Sequence, residues 1–445
     1  MASDLLSIAR SGTQTARVAL DVTAQNIANA SSQGYVRRSV QLAEVSASGG
    51  IGRTGDISLS GVRLDRVVRN ADLFRQAEAR RTGGDLARAD AELSGLQNVE
   101  ASIEQSGVFP AIVRFEGALQ QLASDPVDPS LRASVVEQTR TLTRSFNLAA
   151  SSLDAAGESL RFQASDGVNQ VNLLAAELGR VNIRLSRASD ASSDQTTLLD
   201  QRDSLLKQLS DYTDINVTIN ADTTVEVRIG GTAGPQLVMG GSAGTVAMAT
   251  AGDGTISFAL NGTPIAPNSG SLAGNQQALT KLGSTRSDLD GIAAALISTV
   301  NAAQGNGADI NGTAGQPMLS GTSASDISLV FSDGALIATA PAGAGPNSRD
   351  PANLDALRAA LSGTNPAGKT DALIFDISST VAGRTITRDA LQSIAANASI
   401  ALQAQAGVDL DQEAVNLIRF QQAFQASSRV MQVSSDLFST LLGIR

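Results

Sequence analysis

Apolar and polar positions alternate in different rhythms along this chain, and the most regular rhythms lie at its two ends. Near the C terminus an apolar side chain recurs at every seventh position, at Leu410, Leu417, Phe424, Met431 and Phe438. Ala414 sits between the first two, and Phe420 and Leu441 fill a flanking row. A seven-residue repeat keeps one helix face turned toward a partner, so this stretch reads as a coiled-coil seam. The opening residues offer the partner: Leu5, Ile8, Gly12, Thr15, Ala19, Val22 and Asn26 recur at alternating three- and four-residue steps. Half of those positions are small or polar, too little to hold a helix alone. The two ends are therefore predicted to pair, and the chain to leave from and return to one place.

Between the ends the pattern changes several times. Ser31, Ser32, Gln33 and Gly34 interrupt the first helix with turn chemistry. Residues 35–70 then alternate through Val36, Val40 and Leu42, and again through Ile57, Leu59, Val62 and Leu64. This predicts short extended segments joined by a loop containing Gly49, Gly50, Gly52 and Gly55. Helical spacing returns at Leu73 and runs through Leu86, Ala89, Leu93, Leu96, Val99 and Ile103. A shorter helix follows Pro110, and the segment Ser124-Asp-Pro-Val-Asp-Pro-Ser130 breaks it and starts another. That next helix is predicted to be long, because Phe146, Leu153, Leu160, Ala164, Gly167, Val171, Leu174, Leu178, Val181 and Leu185 keep step. As one helix, residues 130–187 would span roughly 85 Å. A compact chain of this length would be only about 60 Å across. The expectation is an elongated molecule with one kink, at Gly157, Gly167 or Gly179.

A further helix is predicted over 197–211. Period-two alternation then appears at Ile215–Ile219, Val225–Ile229 and Ile256–Leu260, separated by glycine-rich turns, as in antiparallel strands. Helix resumes from about Leu272 to Ala303. Residues 305–385 read as turns, short strands (Ile327–Phe331, Leu336–Ala338) and a helix near Leu354–Leu361, and the last helical stretch begins near Arg388. The fold class is mainly α with a β insertion, in an elongated multi-domain chain. Its expected parts are a terminal coiled-coil region (1–70 and 400–445), a helical body (71–212 and 271–399) and an inserted antiparallel β domain (213–270).

Composition narrows the chemistry. The 445 residues contain no histidine, cysteine or tryptophan, and tyrosine appears only at Tyr35 and Tyr212. That removes imidazole acids, bases and zinc ligands, thiol nucleophiles and disulfides. A formal charge of −10 argues against a nucleic-acid partner. No apolar run approaches the roughly 20 residues needed to span a bilayer, so no membrane insertion is expected. The N terminus lacks the basic start and apolar core of a cleaved signal peptide.

Candidate sites are few. Asp309-Ile-Asn-Gly-Thr opens like a calcium loop but lacks the closing glutamate, and a turn explains it. Asp200 and Asp203 flank Arg202, a spacing suited to a helix-stabilising ion pair. Arg37, Arg38, Arg63, Arg66 and Arg69 form a loose basic cluster, open to reading as a contact for acidic patches or as a solvated rim. No metal, cofactor or catalytic residue is assigned. Asn26 and Asn29 lie three apart on one helix face beside Ile27, where amides can bridge a neighbour's backbone and fix register. Gly34 permits a left-handed turn, and Tyr35 can bury its ring while its hydroxyl bonds. The plainer reading is a helix C-cap followed by an ordinary buried tyrosine.

Two segments carry a family resemblance. Residues 19–35, from Ala19 and Leu20 through Asn26, Ile27 and Asn29 to Gly34 and Tyr35, resemble the N-terminal signature of bacterial flagellar rod, hook and hook-associated proteins. Ser32 stands where threonine is usual in that family. Residues 407–430 are similar to the C-terminal half of the same signature. The Leu198–Asp203 segment and the helix over 128–147 resemble more narrowly the hook-associated members at the junction of hook and filament. The resemblance implies a non-enzymatic structural subunit that assembles through its ends. The implied assembly residues are Leu20, Asn26, Ile27, Asn29, Gly34 and Tyr35, with the seam Leu410, Leu417, Phe420, Phe424, Met431, Phe438 and Leu441. It further implies a ring-like homo-oligomer at the hook tip, contacts with the hook protein and a second hook-associated junction protein, and an export chaperone on the C-terminal helix. Its expected location is the extracellular flagellum, reached without a cleaved signal peptide. The alternatives are a hook or rod subunit sharing the same ends, a secreted adhesin using residues 213–270, and a hydrolase on a helical stalk.

Overall fold

A computed structural model of the chain describes residues 2–32, 34–46, 59–189 and 193–442. The loop glycines 49, 50, 52 and 55, together with Ile57 and Gln33, lie outside the described residues. The fold is mainly α with small antiparallel sheets, and it divides into two compact units. Unit 1 holds residues 1–83, 172–245 and 393–445; unit 2 holds 84–171 and 246–392.

Unit 1 contains helix α1 (Ala2–Ala28) and a ribbon of β1 (Arg38–Ser46) paired antiparallel with β2 (Leu59–Arg69). It also contains the start of α2 (Leu73–Glu104), the end of α4 (Pro129–Leu185), and α5 (Ser193–Tyr212). A four-stranded sheet follows, ordered β3 (Ile215–Ile219), β4 (Val225–Ile229), β5 (Gln236–Met239), β6 (Ser242–Ala243). Val225, Val227 and Ile229 are buried while Glu226 and Arg228 between them are not, which is the alternation seen in the sequence. Asn182 pins this sheet to α4: its amide donates to the carbonyls of Val225 and Gly240, both at 2.8 Å, and its oxygen accepts from the Val225 N–H. The chain ends in the last part of α8 (Pro366–Ala406) and in α9 (Leu410–Leu442), capped by Asp409 accepting from the N–H groups of Asp411 and Gln412.

Unit 2 is a helical core. Leu96 and Ile103 from α2, Ile112, Phe115 and Leu119 from α3 (Val108–Ser124), and Leu142, Phe146 and Leu153 from α4 are all fully buried. Helices α6 (Gly270–Gly305) and α7 (Ala352–Thr364) complete it with Leu289, Leu296, Leu354 and Leu361. Two glycines let backbones close up: a Cβ on Gly95 would meet Ala278, and one on Gly274 would meet the Arg88 carbonyl. Strands β7 (Val246–Thr250), β8 (Ile256–Leu260) and β9 (Thr263–Ile265) form a second sheet here, turned by Asn261 and Gly262 at positive φ. Arg132 is buried without a carboxylate: Nε donates to the Pro126 carbonyl, Nη1 to those of Gly334 and Ile337, and Nη2 to Thr339 Oγ1. Burial pushes its pKa down.

The structure amends the sequence reading at several points. Residues 213–270 do not form one inserted domain: their strands make two separate sheets, one in each unit. The cause is local, since the short loop after β6 ends one ladder and β7 begins another. Helix α4 is α-helical at every residue from Pro129 to Leu185. One of its glycines serves close approach: a Cβ on Gly179 would sit 3.0 Å from the Gly241 carbonyl. Helix α8 begins at Pro366, more than five turns before Arg388. Asn365, at φ 47°, closes α7, and Pro366 starts the next helix. Leu336 ends a 3-10 turn instead of starting a strand. Asp309 closes a turn, accepting from the N–H groups of Asn311 and Thr313 and from Thr313 Oγ1.

Candidate assembly site at the terminal helix pair

Helices α1 and α9 pack against each other, both within unit 1. Asn26 meets Glu413, and a Cβ on Gly12 would touch Ser427 Oγ at 2.8 Å, so the helices run antiparallel. The face that α9 turns inward is Glu413, Leu417, Phe420, Phe424, Ser427, Met431 and Ser434, at alternating four- and three-residue steps. Leu417, Phe420, Phe424 and Met431 are half-buried, whereas Leu410 and Phe438 are exposed. Leu441 lies in the last turn of α9, and its side chain is outside the described residues. On α1 the buried residues are small: Ala9, Thr15, Ala16, Ala19, Val22, Thr23 and Asn26. Part of that face lies on the ribbon, where Thr15 Oγ1 donates to the Val62 carbonyl. Leu20 and Ile27 are half-buried.

Asn26 is the centre of the arrangement and is 1% exposed. Its amide nitrogen donates to the Arg38 carbonyl (2.8 Å) and to Glu413 Oε2 (3.2 Å). Its oxygen accepts from the Arg38 N–H (3.0 Å) and from the Tyr35 hydroxyl (2.9 Å). One side chain thereby joins α1, the start of the ribbon and α9, and all of its polar capacity is used. Asn29 does something different: it is partly exposed and bonds within its own turn, to the Gln25 carbonyl and Ser32. Gly34 takes φ 81°, as its turn requires. Tyr35 then lies half-buried with the Arg38 guanidinium 5.2 Å above its ring, and burial raises its pKa.

Behind Asn26 lies an ion-pair network that the sequence did not reveal. Glu413 is almost fully buried and takes Arg37 Nε at 2.7 Å, while the Arg37 N–H donates to the Ala406 carbonyl. Arg38 reaches Asp200 at 3.0 Å, and Arg69 reaches both Asp200 (2.7 Å) and Asp203 (2.9 Å). Arg202 and Gln76 also bind Asp203. Three of the five clustered arginines are therefore structural, and only Arg63 and Arg66 remain exposed. Asp200 does not close a pair within its own helix; it turns to the ribbon. Burial raises the Asp200 pKa more than Arg69 and Arg38 lower it. Burial raises Asp203 as well, but Arg202 and Arg69 overcome this and hold its carboxyl below the usual range.

Such a site has the parts of a joint, not of a reaction centre. Its charged groups are consumed by one another, and α9 keeps Val415, Ile418, Val430, Val433 and Leu437 exposed on its other faces. The model of the flagellar hook-associated protein FlgK helical domain matches residues 93–319, half of the chain. The chain belongs to the FlgK family of flagellar hook-associated proteins. Models of the basal body rod protein and of the FlgEFG rod protein C-terminal region match residues 6–35 and 403–444, the two ends that pair here. Flagellar hook-associated protein 1 of Bacillus subtilis is 24% identical across 98% of this chain and 97% of its own length. That of Salmonella typhimurium is 28% identical over 49% of this chain and 39% of its own length. The flagellar hook junction protein FlgK of Burkholderia pseudomallei has a similar fold, with a TM-score of 0.63 at 14% identity, over 73% of this chain and 99% of that one. The protein is a non-enzymatic structural component of the bacterial flagellum, a hook–filament junction subunit. Among the described residues no helix is long and apolar enough to cross a membrane.

Proposed function

We propose that this subunit enters the junction through its α1–α9 pair, which docks on the corresponding pairs of neighbouring copies in a ring at the hook tip. The observation that carries this is the bare side of α9. Val415, Ile418 and Val433 are each more than half exposed on a helix already anchored at Glu413. Apolar stripes of this kind on a single helix are stable in water only when a partner covers them. The assembly residues are then the seam, Leu417, Phe420, Phe424 and Met431, which holds α9 on α1, and the outer stripe, which meets the neighbours. Leu410 and Phe438, exposed toward opposite ends of α9, and Leu441 in its last turn add to the surface that meets those neighbours. Ordering the terminal helices fully only on assembly keeps free subunits from polymerising early.

The hook protein below and a second hook-associated protein above complete the joint, and an export chaperone covers the C-terminal helix before assembly. Export to the cell exterior occurs without cleavage of a signal peptide. The test is electron microscopy of cells lacking the gene, with flagellin measured in the medium. Hooks without filaments and flagellin lost to the medium are expected. Truncated hooks would move the subunit into hook or rod, and normal filaments would overturn the reading. A chain truncated after Ala406 should keep unit 2 folded yet fail to restore filaments.

A further inference from the structure

The chain makes the same hairpin twice, once in each unit. Strands β3 and β4 pair Ile215 with Ile229 and Ile219 with Val225; β7 and β8 pair Val246 with Leu260 and Thr250 with Ile256. The second set of partners repeats the first at one constant offset along the chain. The turns agree as closely. In each, the residue after the first strand donates its N–H to the carbonyl four places on, Asn220 to Thr224 and Ala251 to Thr255. A central aspartate, Asp222 or Asp253, accepts from the hydroxyl and the N–H of that threonine. The hydroxyl bond first, and the N–H bond after it, hold both carboxyls below the usual carboxylate range. Between aspartate and threonine stands a residue at positive φ, Thr223 (64°) in one turn and Gly254 (82°) in the other. The outgoing strand then buries alternate residues, Val225, Val227 and Ile229 in the first hairpin and Ile256, Phe258 and Leu260 in the second.

Hairpin turns of this kind recur in many proteins; what does not follow from turn chemistry is how each hairpin is seated. In unit 1 the Asn182 amide of α4 donates to the Val225 carbonyl at 2.8 Å, and Arg202 Nη1 of α5 to the Thr223 carbonyl at 2.7 Å. In unit 2 the Gln276 amide of α6 donates to the Ile256 carbonyl at 3.0 Å, and Arg161 Nη1 of α4 to the Gly254 carbonyl at 3.5 Å. Ile256 and Gly254 are the counterparts of Val225 and Thr223. In both units, therefore, a carboxamide holds the first residue of the outgoing strand and a guanidinium holds the left-handed residue of the turn. The two anchors come from different helices, so each hairpin ties α4 to a second helix, α5 in unit 1 and α6 in unit 2. The sequence conceals the likeness: between 215–231 and 246–262 only the aspartate, its threonine and the last glycine are shared.

We infer that residues 215–231 and 246–262 are two copies of one β module, and that each ties α4 to a neighbouring helix through an equivalent two-point seat. Asn182 with Arg202, and Gln276 with Arg161, are the two seats.

The first test trades the turns within the full chain, residues 220–224 for 251–255, and leaves all four strands in place. Thr223→Gly relieves a strained backbone and Gly254→Thr introduces one, so the two effects offset. The melting temperature is expected within about 3 °C of the parent, with both hairpins as protected from hydrogen exchange as before. Loss of protection in either hairpin would overturn the equivalence. The seats are tested by Asn182→Ala, Arg202→Ala, Gln276→Ala and Arg161→Ala, each expected to speed exchange about fivefold in the hairpin it holds and to leave the other hairpin unchanged. The longer Arg161 bond should give the smallest effect. Gln276 and Arg161 are only partly buried, so their variants fold and decide the matter. An unchanged β7–β8 hairpin in both would show that unit 2 has no such seat and overturn the inference.

Discussion

The unit 2 stretch of helix α4 and helix α9 in unit 1 carry equally regular apolar rows, and the fold uses them in opposite ways. Phe146, Leu153 and Leu160 of α4 are at most 1% exposed, each surrounded by side chains of the same chain. On α9 the seam residues are only half-buried, and the two deeply buried positions are Glu413 and Ser434. A helix whose row is completed by its own chain is stable in isolation. One whose deepest contacts are a carboxylate and a hydroxyl is fixed in register but weakly held, because those contacts are specific and bury little apolar area. Sequence periodicity announces both helices alike; what separates them is the size of the residues opposite. Gly12, Ala16 and Ala19 of α1 leave α9 room to approach but little to bury against.

The contrast is broken most sharply in the body. Phe146→Ala removes a fully buried ring and should cost about 3–5 kcal/mol, lowering the urea midpoint of the chain. Asp203→Asn comes next, at about 3 kcal/mol, because it leaves Arg69 and Arg202 facing a neutral group in a buried setting. Its pH signature is definite. The folded Asp203 pKa lies below the unfolded value of about 3.9, so its stabilisation is present above that value and lost as pH falls through the folded one. Asp200, whose pKa is raised, works in the opposite direction, so Asp203→Asn should flatten the acid limb of a stability–pH curve while Asp200→Asn steepens it.

Asn26→Ala probes the joint between the two kinds of helix. It orphans the Arg38 backbone, the Tyr35 hydroxyl and part of Glu413, for about 1–3 kcal/mol. The loss should appear as faster hydrogen exchange in α1 and the first turns of α9, with the α4 amides of unit 2 unchanged. Uniform acceleration across both units would show that the terminal pair and the body unfold together.

What was readable in the sequence follows the same division. Local periodicity disclosed α4, α9, β4 and β8, because each is a repeat within a few turns or residues. The motif reading singles out Asn26, Gly34 and Tyr35 because they share one turn, but not the partners of Asn26 at Arg38 and Glu413, 12 and 387 positions away. Glu413 was passed over: its partners Asn26 and Arg37 are 387 and 376 positions away, and an acid in a first helical turn ordinarily reads as a capping group. The sequence leaves the ribbon arginines open between an acidic contact and a solvated rim for the same reason, since Asp200 and Asp203 lie 162 and 134 positions from the residues that bind them. The early start of α8 is hidden by Gly368, Gly383 and the scattered Thr370, Thr380, Thr385 and Thr387, which lower propensity while Leu373, Ile377 and Val381 still bury one face.

Phe438 offers the smallest effect on the isolated chain. It is more than half exposed and lies beyond the last deeply buried residue of α9, Ser434. Phe438→Ala should therefore change monomer stability by less than about 0.5 kcal/mol, as exposed substitutions do, and leave exchange in α1 unaltered. The same change removes an aromatic group from the surface that neighbouring copies are proposed to cover, where truncating an anchor costs about 2 kcal/mol or more per contact. In a ring that contact repeats at every subunit, so filament formation should fall steeply although the monomer is unaffected. Complementation of motility by Phe438→Ala, measured beside its melting curve, separates the two. Parallel loss of both would mean that α9 is a body helix like α4, and full motility would place the covering surface elsewhere on the helix.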